Sequence, residues 1–146
     1  MLRVEGTAAE ELGSRTAELR RKVTALKHCD LRNDDPLGDG VRYDLVATFY
    51  CAECVAPDRA GWAQRMERLL KLVRPGGSVF LAAVRNCDRY AVAGRWFDVA
   101  RVNEADFAEV FARHGFGEVM GEAVPVPDWA GEGFDSICVA RAVKPH

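Results

Sequence analysis

Acidic residues follow two predicted strands of this sequence, at the points where the strands end. Asp30 and Leu31 come after a short strand predicted at Leu26–Cys29, and Glu53 comes shortly after the next strand. Open α/β sheets bind ligands at the carboxyl ends of their strands. A carboxylate placed there accepts hydrogen bonds from a ligand or takes the proton of a reacting amine. These acids are therefore candidates for contact with a ligand.

Each candidate residue also has a purely structural interpretation. Asp30 could cap a turn or a helix without any ligand, and Glu53 could be a solvated acid in a loop. The rings of Tyr50 and Tyr90 could stack on a flat or cationic ligand, but they would serve equally well as ordinary core. The residue types alone leave both interpretations open.

The cysteines predict neither a disulfide framework nor a metal site. They are five in number, Cys29, Cys51, Cys54, Cys87 and Cys138. Their odd count, and an N-terminus without the order of a secretion signal, make the cytoplasm the expected location. Cys51 and Cys54 form a C-x-x-C pair, but no second pair or histidine set accompanies it, so zinc is not expected. Cys51 is predicted to be a small core hydrophobe.

Length and charge restrict the class of protein further. The 146 residues are predicted to form a single domain over residues 1–146. Twenty Lys+Arg against 22 Asp+Glu give a net charge of −2, which provides no bulk attraction to nucleic acid or to an anionic membrane. The apolar runs are too short for a transmembrane helix. Neither nucleic acid nor a membrane is therefore expected as a partner.

The hydrophobic pattern predicts strands that alternate with helices. The predicted strands are Leu26–Cys29, Tyr43–Tyr50, Ser78–Val84, Phe116–Val126 and Phe134–Val143. Three helices are predicted, and the first is Thr7–Lys22. The second is capped by Asp58, and its apolar face consists of Trp62, Met66, Leu69, Leu70 and Val73. The third begins at Asn103, with Asp106 at the capping-box position.

These elements define an α/β fold class. Strands joined through helices imply crossover connections and a mainly parallel sheet, with helices on its faces. The continuously apolar strand at Tyr43–Tyr50 is typical of a strand covered on both faces. The last two strands have no helix between them and are predicted to form an antiparallel hairpin.

Several segments resemble a known family. The apolar strand opened by Asp44-Leu45-Val46, the helix, the turn Arg74-Pro75-Gly76-Gly77 and a second apolar strand resemble the C-terminal half of a class I methyltransferase. Finer matches are Cys29-Asp30-Leu31, Asp35-Pro36-Leu37-Gly38, Tyr50-Cys51-Ala52-Glu53, Pro57-Asp58 and Tyr90. Their order and spacing are similar to those of the nicotinamide, phenylethanolamine and thioether methyltransferase family, whose cofactor is S-adenosylmethionine.

The resemblance implies a role for each matched residue. Asp30 would accept a hydrogen bond from the exocyclic amine of adenine, Leu31 would pack on the ring, and Cys51 would lie beside the same cofactor. Glu53 would help to hold an amine substrate and is the expected catalytic residue. The substrate pocket would be lined by Tyr50 and Tyr90. The implied reaction is methyl transfer to an amine or a related nucleophile of a small molecule.

Two departures from the family pattern modify this expectation. The glycine-rich cofactor loop after the family's first strand does not occur in this sequence, and the acid of nicotinamide-type members in the second strand is replaced by Ala83. The second departure argues against nicotinamide as the substrate. The first predicts a partial Rossmann-like sheet, completed by a second copy, a partner chain or an upstream part of the protein. Its strand at Tyr43–Tyr50 would be an apolar edge at which that polypeptide pairs.

Two other functions stay open at this point. One is a non-catalytic methyltransferase-like subunit or interaction protein, which would use the exposed strand edge and need no cofactor. The other is an adenine-nucleotide binder that uses Asp30 without methyl transfer.

Overall fold

The described part of the chain, which in this computed structural model comprises residues 12–126, 133–134 and 136–146, contains three α-helices, a short 3-10 helix at Ala52–Val55 and six strands. The helices are α1 (Leu12–Lys22), α2 (Arg59–Lys71) and α3 (Glu104–Arg113). The strands are β1 (Tyr43–Phe49), β2 (Val73–Val84), β3 (Arg89–Val92), β4 (Arg95–Asp98), β5 (Gly117–Pro125) and β6 (Ser136–Val143). The predicted α/β class is confirmed.

Four of the strands form one mixed sheet in the order β1-β2-β6-β5. β1 and β2 run parallel and are connected through α2, whereas β6 runs antiparallel to both of its neighbours. The C-terminal antiparallel hairpin is therefore confirmed. The prediction of a mainly parallel sheet is wrong for the described residues, which contain a single parallel pair of strands in this sheet.

The segment Leu26–Cys29 forms no strand, so that prediction is wrong. A strand needs a neighbour that takes its backbone hydrogen bonds, and β1 pairs within the described residues only with β2. Leu26 is 94% exposed. The chain turns instead, with the Asp30 amide donating to the carbonyl of Pro36 at 2.9 Å.

β1 is an edge strand with exposed apolar side chains. Leu45 and Phe49 lie on its surface, so the expectation that this strand is covered on both faces is wrong. The alternative expectation of an apolar edge agrees with the structure. A continuously apolar strand is typical of one that is covered on both faces. Among the described residues, no element covers the exposed apolar side chains of β1.

Side-chain caps set the start of α2. The Asp58 carboxylate accepts a hydrogen bond from the Gly61 amide at 2.8 Å, as predicted. The helix buries Trp62, Met66, Leu69 and Leu70. Val73 is also buried but belongs to β2, because the helix already ends at Lys71.

The predicted capping box of α3 is present. Asn103 Oδ1 accepts from the Ala105 amide at 2.9 Å, and the Asp106 carboxylate accepts from the Asn103 amide at 2.8 Å. The helix buries Phe107 and Phe111. The predicted surface helix at Thr7–Lys22 is seen as α1 from Leu12 and is exposed along most of its length, while residues 7–11 of the prediction lie outside the described ranges.

The core lies on one face of the sheet. α2 and α3 meet there, with the rings of Trp62 and Phe107 edge to face at 5.0 Å between centroids. The strand residues that face them are buried: Val79, Leu81, Ala83, Cys138, Ala140 and Ala142. On the other face Phe80 and Met120 are exposed. The sequence predicted helices on the faces of the sheet. In the structure, α2 and α3 both pack against the same face.

A second, two-stranded sheet was not predicted. β3 and β4 pair antiparallel, with Tyr90 opposite Phe97, and turn at Ala93 and Gly94, whose φ angles are 50° and 76°. A turn with two residues at positive φ suits a tight hairpin. The four-residue strands carry charges and are too short to give a clear alternation.

Candidate functional site

A cleft of about 430 Å³ beside β1 collects the three residues predicted to hold the cofactor. Asp30 and Leu31 reach it from the loop before β1, and Cys51 reaches it just after β1. Its remaining walls include Ala47 and Thr48 of β1 and Arg65 and Leu69 of α2. Ligand pockets commonly measure about 300–1,000 Å³, and the volume of this cleft lies within that range.

Asp30 combines a local turn with a position in the cleft. Its Oδ1 accepts from the backbone amide of Arg32 at 2.9 Å, which is the turn cap that its residue type also allowed. The guanidinium of Arg32 binds the same carboxylate through Nε at 2.9 and 3.1 Å and through Nη2 at 2.7 Å. These hydrogen bonds hold the pKa of Asp30 well below its usual range, so the group is an anion.

Cys51 is exposed in the cleft, so its interpretation as a small core hydrophobe is wrong. Its C-x-x-C partner Cys54 is half-buried, and burial raises the pKa of that thiol to about 12. Both thiols are free. Among the described residues, no group of three or more histidine, cysteine or acidic side chains is arranged to hold a metal ion.

Glu53 lies in the interior and not in a solvated loop, so that interpretation is wrong. The residue is 1% exposed. Its Oε1 accepts from the Val84 amide at 3.0 Å, and its Oε2 has no hydrogen-bond partner. Burial raises the pKa of this carboxyl, against the opposing effect of the Val84 hydrogen bond. Glu53 is not among the residues that line the cleft, and its catalytic role stays a prediction.

The two predicted substrate tyrosines occupy different places. Tyr50 is exposed, so it is not core, and lines a second cavity of about 330 Å³ with Val84 and Ile137. Tyr90 lies in the β3–β4 hairpin, where its ring stacks on Phe97 at 5.4 Å. The structure therefore brings Tyr50, but not Tyr90, to a cavity. Val84 lines that cavity, and its backbone amide donates a hydrogen bond to the buried Glu53 carboxylate.

Sequence reasoning missed two cationic residues of the cleft, Arg32 and Arg65. A loop arginine is ordinarily solvated, so its type carries no signal for a site. The spacing of Asp30 and Arg32 was the available signal, because an aspartate often bonds the amide two residues later and thereby keeps the following side chain nearby.

The buried Glu53 carboxyl predicts a specific pH dependence of stability. Because the pKa of the folded-state carboxyl is raised above 4.5, the folded protein binds more protons than the unfolded chain above that pH. The contribution of the Glu53 carboxyl to the free energy of unfolding is fully present at low pH, and it is lost as the pH rises through the folded-state pKa. Relative to Glu53→Gln, which does not titrate, the free energy of unfolding of the wild type should fall across that window.

Urea unfolding of both proteins from about pH 4 to about pH 8 measures this difference. The Asp34→Asn variant is the matched control, since Asp34 is an exposed acid. A constant offset between wild type and Glu53→Gln over the whole range would contradict the prediction.

The described residues have the fold of Rossmann-like methyltransferases. The structure of the 1,6-didemethyltoxoflavin N1-methyltransferase of Burkholderia thailandensis, with S-adenosylhomocysteine bound, superposes at a TM-score of 0.61, with 20% identity over 89% of this chain and 56% of that one. The phosphoethanolamine N-methyltransferase 2 of Haemonchus contortus, a structure of the same fold at 12% identity and a TM-score of 0.52, was solved with S-adenosylmethionine and with S-adenosylhomocysteine. No described helix is long and apolar enough to span a bilayer.

The chain belongs to the NNMT/PNMT/TEMT family, whose sequence model matches residues 1–124. The phenylethanolamine N-methyltransferase of Macaca mulatta is 26% identical over 77% of this chain and 41% of that protein. The indolethylamine N-methyltransferase of Mus musculus is 34% identical over 56% of this chain and 31% of that protein. This chain therefore spans less than half the length of these curated relatives.

Proposed function

We propose that this chain supplies the adenine-binding part of an S-adenosylmethionine-dependent N-methyltransferase that acts on a small-molecule amine. The observation that supports it is the cleft in which Asp30, Leu31 and Cys51 meet. The Asp30 carboxylate provides acceptor atoms for the adenine amine, and Leu31 provides an apolar surface for the ring. When bound, the cofactor supplies an electrophilic methyl group.

Glu53 and Tyr50 are the proposed substrate residues. Tyr50 lines the second cavity, and Glu53 lies behind its wall at Val84. A carboxylate close to a reacting amine holds the cation or takes its proton, and the ring of Tyr50 offers a face to a flat or cationic group. Glu53 has to reach the cavity to do so, and its oxygen without a partner is the one free for that contact. Ala83 in the buried face of β2 argues against nicotinamide as the substrate.

Calorimetric titration with S-adenosylmethionine tests the proposed function. Asp30→Ala should weaken binding tenfold or more, because a hydrogen bond to a charged group contributes about 1.5–3 kcal/mol. Asp34→Ala is the control, since Asp34 is an acid of the same loop that pairs with Arg68 outside the cleft. Equal binding by both variants would refute the assignment of Asp30. A folded chain that binds no cofactor would favour a non-catalytic subunit.

The free edge of β1 is the proposed site of a further polypeptide, either a second copy or a partner chain. β1 pairs only with β2 among the described residues, and Leu45, Phe49 and Tyr50 are exposed beside that edge. An apolar edge strand of this kind pairs readily with another strand.

The five free cysteines support the cytoplasm as the proposed location, since reduced thiols persist there.

A charge on this strand should interfere with the pairing. Leu45→Lys is expected to shift the chain toward monomer in sedimentation velocity, because lysine on an edge strand opposes strand addition. Met120→Lys provides the control, since Met120 is an equally exposed apolar residue of β5, at the other end of the sheet. Identical sedimentation of the wild type and Leu45→Lys at all concentrations would exclude this edge.

A further inference from the structure

Arg32 donates hydrogen bonds to both carboxylate oxygens of Asp30. Its backbone amide and Nε donate to Oδ1, both at 2.9 Å, and Nη2 and Nε donate to Oδ2 at 2.7 and 3.1 Å. A carboxylate has about four lone-pair sites. Three N–H groups of Arg32 make these contacts, with the single Nε–H shared between the two oxygens, so the guanidinium lies against both oxygens and an additional donor competes with it there.

The exposures of the two side chains show which of them is free to leave. The Asp30 side chain is 17% exposed, whereas that of Arg32 is 74% exposed. Among the described residues, the Arg32 guanidinium hydrogen-bonds only to Asp30. An exposed ion pair typically contributes about 0.2–1 kcal/mol, so the guanidinium can move into solvent at small cost.

We propose that Arg32 is an affinity-determining residue of the cleft, whose guanidinium occupies the carboxylate oxygens that the exocyclic amine of adenine requires and is exchanged for that amine on binding. The inference rests on the proposed function, because it assumes that Asp30 receives adenine. It adds a residue that sets how tightly an adenosine ligand is held. Arg32 opposes binding, although it lines the same cleft as the groups that favour it.

The proposed exchange makes the affinity depend on salt concentration. An amine on an adenine ring is neutral, whereas the guanidinium that it replaces is a cation paired with a carboxylate. Salt screens an exposed ion pair and has little effect on a hydrogen bond to a neutral donor. Raising the salt concentration should therefore tighten binding of a ligand without net charge, such as S-adenosylhomocysteine, and this gain should require Arg32.

The test is calorimetric titration of the full chain with S-adenosylhomocysteine at low and high salt. Arg32→Gln should bind about two- to fivefold more tightly than the wild type at low salt, which corresponds to the usual strength of an exposed ion pair. The affinity of Arg32→Gln should also not increase with salt concentration. Arg101→Gln is the matched control, because Arg101 forms an exposed ion pair with Asp88 and does not line the cleft.

The outcomes separate this inference from the proposed function. Binding by Arg32→Gln that equals or falls below that of the wild type, with the same salt profile, would overturn the role of Arg32 and leave the cofactor site intact. If neither protein binds S-adenosylhomocysteine, the proposed cofactor function fails and the role of Arg32 fails with it. Tighter binding confined to Arg32→Gln supports the exchange.

Discussion

Replacing Trp62 by alanine should lower the free energy of unfolding by about 3–5 kcal/mol, the usual cost of removing a large buried aromatic side chain. Trp62 is 2% exposed and lies where α2, α3 and the sheet meet. Its ring contacts Phe107 edge to face at 5.0 Å. The substitution therefore removes apolar burial and an aromatic contact together, and leaves a cavity between the two helices.

Chemical denaturation of Trp62→Ala and Trp96→Ala measures this effect. Trp96 undergoes the same change of side chain but is 54% exposed in β4, with Arg89 over its ring at 4.6 Å. Its loss should cost less than about 1 kcal/mol. If Trp62→Ala is too unstable to purify, Trp62→Phe keeps an aromatic ring and should show a smaller loss in the same direction. Equal midpoints for the two alanine variants would contradict the placement of the core.

A methyl group at Gly77 should destabilise the protein by about 1–3 kcal/mol, as overpacking does in a well-packed interior. A Cβ atom built on Gly77 would lie 2.9 Å from the carbonyl oxygen of Arg74 and 3.0 Å from those of Tyr43 and Asp44. All three atoms belong to the backbone, where β1 and β2 come together. They cannot rotate away as a flexible side chain would, so the strands have to separate.

Gly117→Ala is the matched control for Gly77→Ala. Gly117 is also a strand glycine, but a Cβ atom there meets nothing within 4 Å and its φ is not positive. The same substitution should be neutral there or stabilise by about 0.4–1 kcal/mol, through the unfolded chain. Thermal unfolding of the two variants compares them directly. A Gly77→Ala protein as stable as Gly117→Ala would show that the close approach of β1 and β2 is not required.

Local signals predicted the helices well, while pairing between distant segments was predicted less well. The caps at Asp58 and Asn103 act within three residues, so their sequence is sufficient to place the helix starts. The strand predicted at Leu26–Cys29 failed because a strand exists only beside a neighbour, and its apolar pattern contains no information on which neighbour is available. For the same reason no single segment indicated the order of the strands in the sheet.

The candidate site was predicted in part. The resemblance indicated Asp30, Leu31 and Cys51, and the structure places all three in one cleft. The burial of Glu53 was beyond sequence reasoning, because it depends on contacts with distant parts of the chain. The Ala100 amide donates to the Glu53 carbonyl at 3.1 Å, and β2 supplies the Val84 amide to its carboxylate.

The β3–β4 hairpin is closed at its base by hydrogen bonds between its own flanking residues. The Val99 amide donates to the Asp88 carbonyl at 3.0 Å, and the Cys87 thiol donates to the Arg89 carbonyl at 3.0 Å. Every residue of the two strands is exposed except Tyr90, which is half-buried. The amide hydrogens of the hairpin can therefore exchange with solvent through a small opening that leaves the four-stranded sheet folded. We therefore expect the hairpin to open as a separate cooperative unit of lower stability than the sheet.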